Sequence, residues 1–480
     1  MSSHTPAATP PLSLPPDAMR SLGYRVVDMI VDHVETLRDR RVSIQRPRAE
    51  LDARIGSFAD APVPAGDVLT LVQEEVLSSM TAVDHPRFYA FVPGPGNFVG
   101  AMADALASGF NVFAGHWLAA SGPGAVELQT IELLRRACGL PDTGGGLFVS
   151  GGSLANLSGL AAARAVKLGG PDPQAVIYLS DQAHSSVVKG LRVLGFAPSQ
   201  VRSVAVDDQL RMDIGALGRS IAEDRQAGRR PFCVVASAGT TNTGAVDPLE
   251  ALAATCRRED LWLHVDGAYG AAAALSQRGR DALTGLGLAD SIALDPHKWL
   301  FQPFEIGCVL VRDMHHLHQA FAVHPEDNAT YLQDVGRIAE AEVVFYEHGV
   351  QLTRAFRALK LWMCLRVYGL AAFRGAIDHG ITLAEEVERM LREDPAWEIV
   401  TPAQLAVVTF APHRPDLRLG ECNVIVEQAV ARLTADGYAM VTSTLVRGRT
   451  VLRFCLIHPS ATLGEVRETT YRLRQLCEVS

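Results

Sequence analysis

The stretch Ser291-Ile292-Ala293-Leu294-Asp295-Pro296-His297-Lys298-Trp299 is a short apolar run that stops abruptly in charged and ring-bearing side chains. A buried strand that delivers reactive groups at its end reads this way, and the pattern recurs upstream. It is seen at residues 146–152 (GLFVSGG), 175–181 (AVIYLSD), 231–239 (PFCVVASAG) and 261–268 (LWLHVDGA), each run closing in small or polar residues. Helical segments separate these runs from about residue 81 to 345. The alternation predicts βα units: an α/β fold with a mostly parallel central sheet whose strand ends carry a site.

Upstream, Pro15-Pro16-Asp17 opens an amphipathic helix with apolar residues at Met19, Leu22, Val26, Val27, Ile30, Val31, Val34 and Leu37. An Arg-rich, Pro-broken connection covers residues 40–54. Downstream, a helix at 359–368 leads into an α+β tail. Its expected parts are a helix at 382–392, strands near 405–410, 438–446 and 450–457, and a closing helix from about Leu463. The expected organisation is therefore a tail without fixed structure at 1–16, a helical segment at 17–80, a large domain at 81–350 and a smaller α+β domain at 351–480.

The 480 residues are 48% hydrophobic and 20% charged, with net charge −9, which excludes disorder over most of the chain. The arginines are scattered, so there is no electrostatic footprint for nucleic acid or an anionic membrane, and a small-molecule partner is expected. The eight cysteines form no CxxC pair and read as reduced, mostly buried thiols. Residues 5–16 lack the charge and apolar run of a secretory signal, and no stretch approaches a membrane span. A cytoplasmic location is the expectation.

Only four of the 44 basic residues are lysines: Lys167, Lys189, Lys298 and Lys360. Arginine stays charged at any usable pH and cannot act as an amine nucleophile. Lys167 precedes Gly169-Gly170, where a helix C-terminus favours a cation; Lys189 lies in a solvated stretch and Lys360 on a helix. Lys298, just beyond a buried strand, is expected to be desolvated, which would free its amine to form a Schiff base with a carbonyl. Asp266, at the end of another strand, suits pairing with the ring nitrogen of pyridoxal phosphate, and Ala268 leaves room for a flat ring; an N-capping role for Asp266 is the plain alternative. Residues 150–153 (SGGS) and 238–242 (AGTTN) are small-residue turns suited to a phosphate. His184, again after a strand, has an imidazole that suits stacking on a ring. Residues 94–100 (GPGNFVG) miss the dinucleotide spacing, no Walker sequence is present, and His315-His316-Leu317-His318 lacks a matching zinc ligand set, so no metal is expected.

Taken together, SGGSLAN, DQAHSS, AGTTNTGAVDP, LWLHVDGAYG, DPHKW and FRALKLW, in this order, resemble the group II pyridoxal-phosphate amino acid decarboxylases, the aromatic-L-amino-acid decarboxylase family of the fold-type-I superfamily. The resemblance runs from about Asp17 to Leu476. It implies a homodimeric carboxy-lyase with its site at the subunit interface, converting an L-amino acid, expected to be aromatic, to an amine and CO2. It makes Lys298 the Schiff-base lysine, Asp266 the ring-nitrogen partner, Ala268 a ring contact and His184 the stacking residue. Gly152, Ser153 and His297 would contact the phosphate, with Thr241 near the cofactor. Leu154 stands where many members have Glu.

In family members a loop tyrosine serves the reprotonation step by reaching the neighbouring subunit's site. Anchoring on Tyr331-Leu332 and Leu352-Thr353-Arg354 puts Phe345 at that tyrosine's place, with Tyr346 beside it. A phenyl ring has no proton to give, and Phe there is associated with aldehyde synthases, which couple decarboxylation to oxidative deamination. A one-residue shift to Tyr346, or His348 or water as donor, are the alternatives. Phe91, Val92, Pro93 and Gly94 should lie near the substrate side-chain pocket, Val92 replacing a bulkier aromatic. A non-catalytic binding relative is disfavoured by the intact set Lys298, Asp266, His184 and Thr241.

Overall fold

The apolar runs form strands because both of their faces find cover. A computed structural model describes residues 12–322 and 343–478. The runs become β1 (Gly145–Val149), β2 (Ala175–Ser180), β4 (Arg230–Ser237), β5 (Trp262–Asp266) and β6 (Ser291–Leu294). Two further strands, β3 (Val201–Val204) and β7 (Gly307–Val311), complete a seven-stranded sheet in the order β1-β7-β6-β5-β4-β2-β3. Only β7 runs against its neighbours. Alternate residues feed two cores: Phe148, Tyr178, Val234, Leu263 and Ile292 on one face, and Leu147, Ile177, Val235, Trp262 and Ala293 on the other. That period of two, with nearly every position buried, is what a sheet covered by helices on both sides requires.

The C-terminal part is an antiparallel sheet in the order β10-β11-β9-β8, built from β8 (Trp397–Gln404), β9 (Val407–Pro412), β10 (Thr442–Val446) and β11 (Arg449–Cys455). Helices Leu419–Asp436 and Leu463–Glu478 contribute to its core, around Trp397, Phe410 and Phe454. The two helices expected at 359–368 and 382–392 are one long helix, Ala358–Glu393, interrupted at Gly369, whose φ of +76° glycine adopts without strain. Tyr269, after β5, joins the two sheets: its ring stacks on Trp299 at 5.1 Å and its hydroxyl accepts the Ala406 N–H at 2.9 Å. The helix Phe98–Gly109 is capped by Asn97, which accepts from the Gly100 N–H, so the GPGNFVG stretch is a helix start.

All eight cysteines are free thiols, seven of them buried. Among the described residues no helix is long and apolar enough to cross a membrane, and no His, Cys, Asp and Glu cluster could hold a metal ion. His316 of the HHLH run lies edge-on to Trp262 at 5.2 Å, and His318 faces Glu347 at 3.4 Å.

Buried imidazoles give the fold an acid limit. Desolvation pushes His85, His264 and His458 down from 6.5 to about 4. They stay neutral in the fold but bind protons when the chain unfolds, so between pH 4 and 6.5 the unfolded state holds more protons and stability falls as pH falls. Asp247, raised by burial from 3.8 to about 6, works in the opposite sense for one proton. The expected net uptake on unfolding is about two protons. Thermal melts should show a lower midpoint at pH 5 than at pH 7; an unchanged or higher midpoint at pH 5 would contradict this.

Candidate active site

Five loops that leave the C-terminal ends of β1, β2, β4, β5 and β6 converge on one cavity of about 350 Å³. This is where open parallel sheets place ligands. Lys298, Asp266, Ala268, His184, Gly152, Ser153, Thr241 and His297, named from the sequence, all line it. They come from segments up to 146 positions apart, gathered because each stands at or after a strand end.

Lys298 is not the bare, desolvated amine expected from sequence. Its Nζ lies 2.8 Å from Asp295 Oδ2, a carboxylate only 2% exposed, while the lysine side chain itself is 24% exposed. The second oxygen, Asp295 Oδ1, is buried without a hydrogen-bond partner. Asp295 was legible only as part of the motif; its place three residues before the lysine in a post-strand turn is the signal for the pair.

Asp266 ends β5 nearly buried. Its Oδ1 accepts the Ala268 N–H at 3.1 Å and its Oδ2 accepts from Asn156 Nδ2 at 3.0 Å. His184 is exposed in this chain and caps the helix Ser185–Val193, its Nδ1 accepting from the Ser186 N–H at 3.2 Å. His297 donates from Nδ1 to the Ile306 carbonyl at 2.7 Å, and burial holds its pKa below the ordinary value. The 238–247 loop is tied by Asp247, which accepts from the Ser237 and Met212 N–H groups, both at 2.7 Å. Arg453 of β11, which carries no sequence signal, donates to the Thr241 carbonyl at 2.6 Å and to the Phe91 carbonyl.

The SGGS turn opens the helix Gly152–Leu168, whose N-cap Gly151 offers no side-chain acceptor to the first-turn amides. A Cβ at Gly152 would stand 2.6 Å from Asp295 Oδ2 and 3.1 Å from the Ala268 methyl, so only glycine fits here. An uncapped helix N-terminus beside serine hydroxyls is a dianion site. A phosphate-binding turn, an amine and a carboxylate around one small cavity are the donor set that pyridoxal phosphate needs.

The substrate-side expectations fare differently. Phe91 is 58% exposed and Val92 packs on the main core; neither lines the cavity. Gly94 lies closer, since a Cβ there would meet the Phe304 ring at 2.5 Å and the His297 carbonyl at 3.4 Å. Phe345 is not on an exposed loop: it begins a short 3-10 helix, is 2% exposed in the core, and carries the Arg354 guanidinium 5.0 Å above its ring. Tyr346 is buried beside it, donating its N–H to the Gly115 carbonyl at 3.1 Å. Neither ring lines this chain's cavity: Phe345 packs in the core on one face of the large sheet, and Tyr346 lies edge-on to His116 at 6.1 Å. The anchor Tyr331-Leu332 lies outside the described residues. Of the remaining lysines, Lys167 pairs with Asp260 at 2.7 Å, Lys189 is exposed, and Lys360 is buried against Asp104 at 2.7 Å and the Pro303 carbonyl at 3.1 Å.

The fold and cavity define a fold-type-I enzyme that works through pyridoxal phosphate. Residues 51–412 match the family model described as the pyridoxal-dependent decarboxylase conserved domain. The chain belongs to this family, the group II pyridoxal-phosphate decarboxylases, and is a carboxy-lyase dependent on that cofactor. It is 46% identical to an aromatic-L-amino-acid decarboxylase of Bacillus atrophaeus over 97% of both chains, and 30% identical to a phenylacetaldehyde synthase of Arabidopsis thaliana over 94% of both. Among solved structures, Oryza sativa TDC with PLP and tryptamine superposes with a TM-score of 0.92 at 28% identity, covering 98% of this chain and 99% of that one.

Proposed function

We propose that this chain decarboxylates an aromatic L-amino acid to its amine, as a cytoplasmic homodimer with the active site at the subunit interface. The observation that carries the reading is the meeting of Lys298, Asp266 and the Gly152-Ser153 helix start in one cavity, together with the 46% identical aromatic-L-amino-acid decarboxylase. The dimer is supported by the helix Pro16–Thr36, which buries none of its 21 residues in this chain although Met19, Tyr24, Val31 and Val34 stand exposed. An apolar helical face of that length needs cover.

When bound, pyridoxal phosphate supplies an electron sink for the pair left behind by the departing carboxylate. The amides of Gly152 and Ser153 hold the phosphate, helped by Thr241 and His297. Lys298 would hold the cofactor through its amine, with Asp295 at 2.8 Å as the counter-ion beside Nζ. Asp266 keeps a proton on the ring nitrogen, and Ala268 admits the flat ring beside it. His184, which also lines the cavity, would pack against the ring and orient the substrate carboxylate. Lys298, the amine paired with Asp295, is the group that would return a proton at Cα.

The decarboxylase reading is favoured over the aldehyde-synthase one because the aldehyde-synthase relative is the more distant, at 30% identity against 46%. Incubation with phenylalanine, tyrosine, tryptophan and DOPA, following amine, aldehyde, O2 and H2O2, should give stoichiometric amine without O2 uptake. Aldehyde with matching O2 consumption would overturn the proposal.

A further inference from the structure

Asn156 lies in the second turn of the helix Gly152–Leu168, fully buried, and both of its amide protons are used. Nδ2 donates to Asp266 Oδ2 and to Ser186 Oγ, each at 3.0 Å. A carboxylate only accepts, so the amide cannot be turned over, and its Oδ1 must face His264 Nε2, 2.9 Å away. Oδ1 in turn only accepts, so His264 carries its proton on Nε2. The buried ring is neutral, and Nδ1 therefore accepts the Ser291 hydroxyl proton at 2.8 Å. Ser291 Oγ takes the Trp262 Nε1–H at 2.8 Å. Every proton in the chain Trp262, Ser291, His264, Asn156, Asp266 points one way. A branch leaves at Ser186, whose hydroxyl, having accepted from Asn156, donates to His184 Nδ1 at 2.8 Å.

The helix is shaped around this relay. A Cβ at Gly159 would stand 2.6 Å from both Cε1 and Nδ1 of His264, and 3.1 Å from Ser291 Oγ, so the backbone yields its space to the imidazole. Asn is a poor residue for a helix interior because its side chain competes for backbone groups. Here the side chain has other work: one amide is bonded to the carboxylate that the proposed function sets at the ring nitrogen and to the hydroxyl that steers the imidazole over the ring face.

We infer that His264 and Asn156 are positioning residues for the cofactor, setting Asp266 and His184 in register with each other without touching the ring themselves. The inference rests on the proposed placing of Asp266 and His184. If the relay is broken, the carboxylate loses a donor on Oδ2 and the Ser186 hydroxyl is freed to turn away from His184. Both losses weaken the hold on the cofactor and alter the proton at its ring nitrogen.

The test compares His264→Phe, His264→Gln, Asn156→Asp and Asp266→Asn, with thermal melts as a check on folding. Two readouts are taken: the dissociation constant of pyridoxal phosphate by fluorescence titration of apoenzyme, and the pH dependence of the bound cofactor's visible absorbance. His264→Phe should weaken binding roughly tenfold or more and shift the absorbance profile, the range seen when supporting partners of ligating groups are removed. His264→Gln, whose amide N–H replaces Nε2–H, should restore both. Asn156→Asp is isosteric, sets one carboxylate against another, and should weaken binding without unfolding the chain; it decides the matter if the phenylalanine variant does not fold. The inference falls if folded His264→Phe and Asn156→Asp bind and absorb like the parent while Asp266→Asn does not, or if His264→Gln is as impaired as His264→Phe. If Asp266→Asn itself binds and absorbs like the parent, the placing of Asp266 at the ring is what fails.

Discussion

Replacing Lys298 should abolish amine formation, by on the order of a thousandfold or more, because no other group in the cavity can hold the cofactor covalently. Two substitutions separate chemistry from stability. Lys298→Ala leaves the buried Asp295 carboxylate without its cation at 2.8 Å, and breaking a buried pair from one side typically costs about 3–5 kcal/mol, less here because the lysine is a quarter exposed. Its melting point should therefore drop along with its activity. Lys298→Arg keeps a cation for Asp295 but has no amine nucleophile. It should melt near the parent, stay inactive and lack the parent's visible absorbance. Measurable turnover by the arginine variant would contradict the assigned role.

Asp266→Asn should lower kcat by roughly a hundredfold to a thousandfold, within the range ascribed to positioned proton-holding groups. The amide has almost the same shape and sits in the same nearly buried place, but it is neutral. One of its ends must also present N–H groups to the Ala268 N–H or to Asn156 Nδ2, where the native carboxylate accepts from both. The ring nitrogen then loses the charge that keeps it protonated, and the electron sink weakens. Steady-state kinetics should show the loss in kcat far more than in KM. A kcat close to the parent's would count against the proposed pairing, since the catalytic range it is judged by begins near a hundredfold.

Much of the fold was legible because a strand covered on both faces must be apolar throughout, and five of the seven large-sheet strands were read from runs of that kind. Of the missed ones, β7 is itself a buried apolar run that was passed over, and the other two break the rule for physical reasons. β3 is at the sheet edge and carries Arg202 and Ser203, and β8 contains Pro402, a residue that argues against a strand unless the strand is at an edge, as β8 is. The helix Leu419–Asp436 passes unread because Val424-Ile425-Val426 is β-branched; its start is stabilised by Glu421, which accepts the Arg418 N–H at 2.8 Å.

The site divides in the same way. Residues that follow strand ends could be read one at a time, since each motif stands in its own loop. Their partners could not: His264 and Asn156 are 108 positions apart, and Arg453 reaches Thr241 from the other sheet. Phe345 shows another limit: its place in the alignment is readable from sequence, its burial is not.

The claim on which everything else depends is that Lys298 carries the cofactor. With only four lysines in 480 residues it can be tested on the intact enzyme, by reducing the holoenzyme with borohydride, digesting it and locating the pyridoxyl group by mass spectrometry. The group should be found on the peptide containing Lys298 at near-full occupancy. Its attachment to Lys167, Lys189 or Lys360, or no attachment to any lysine, would contradict the account.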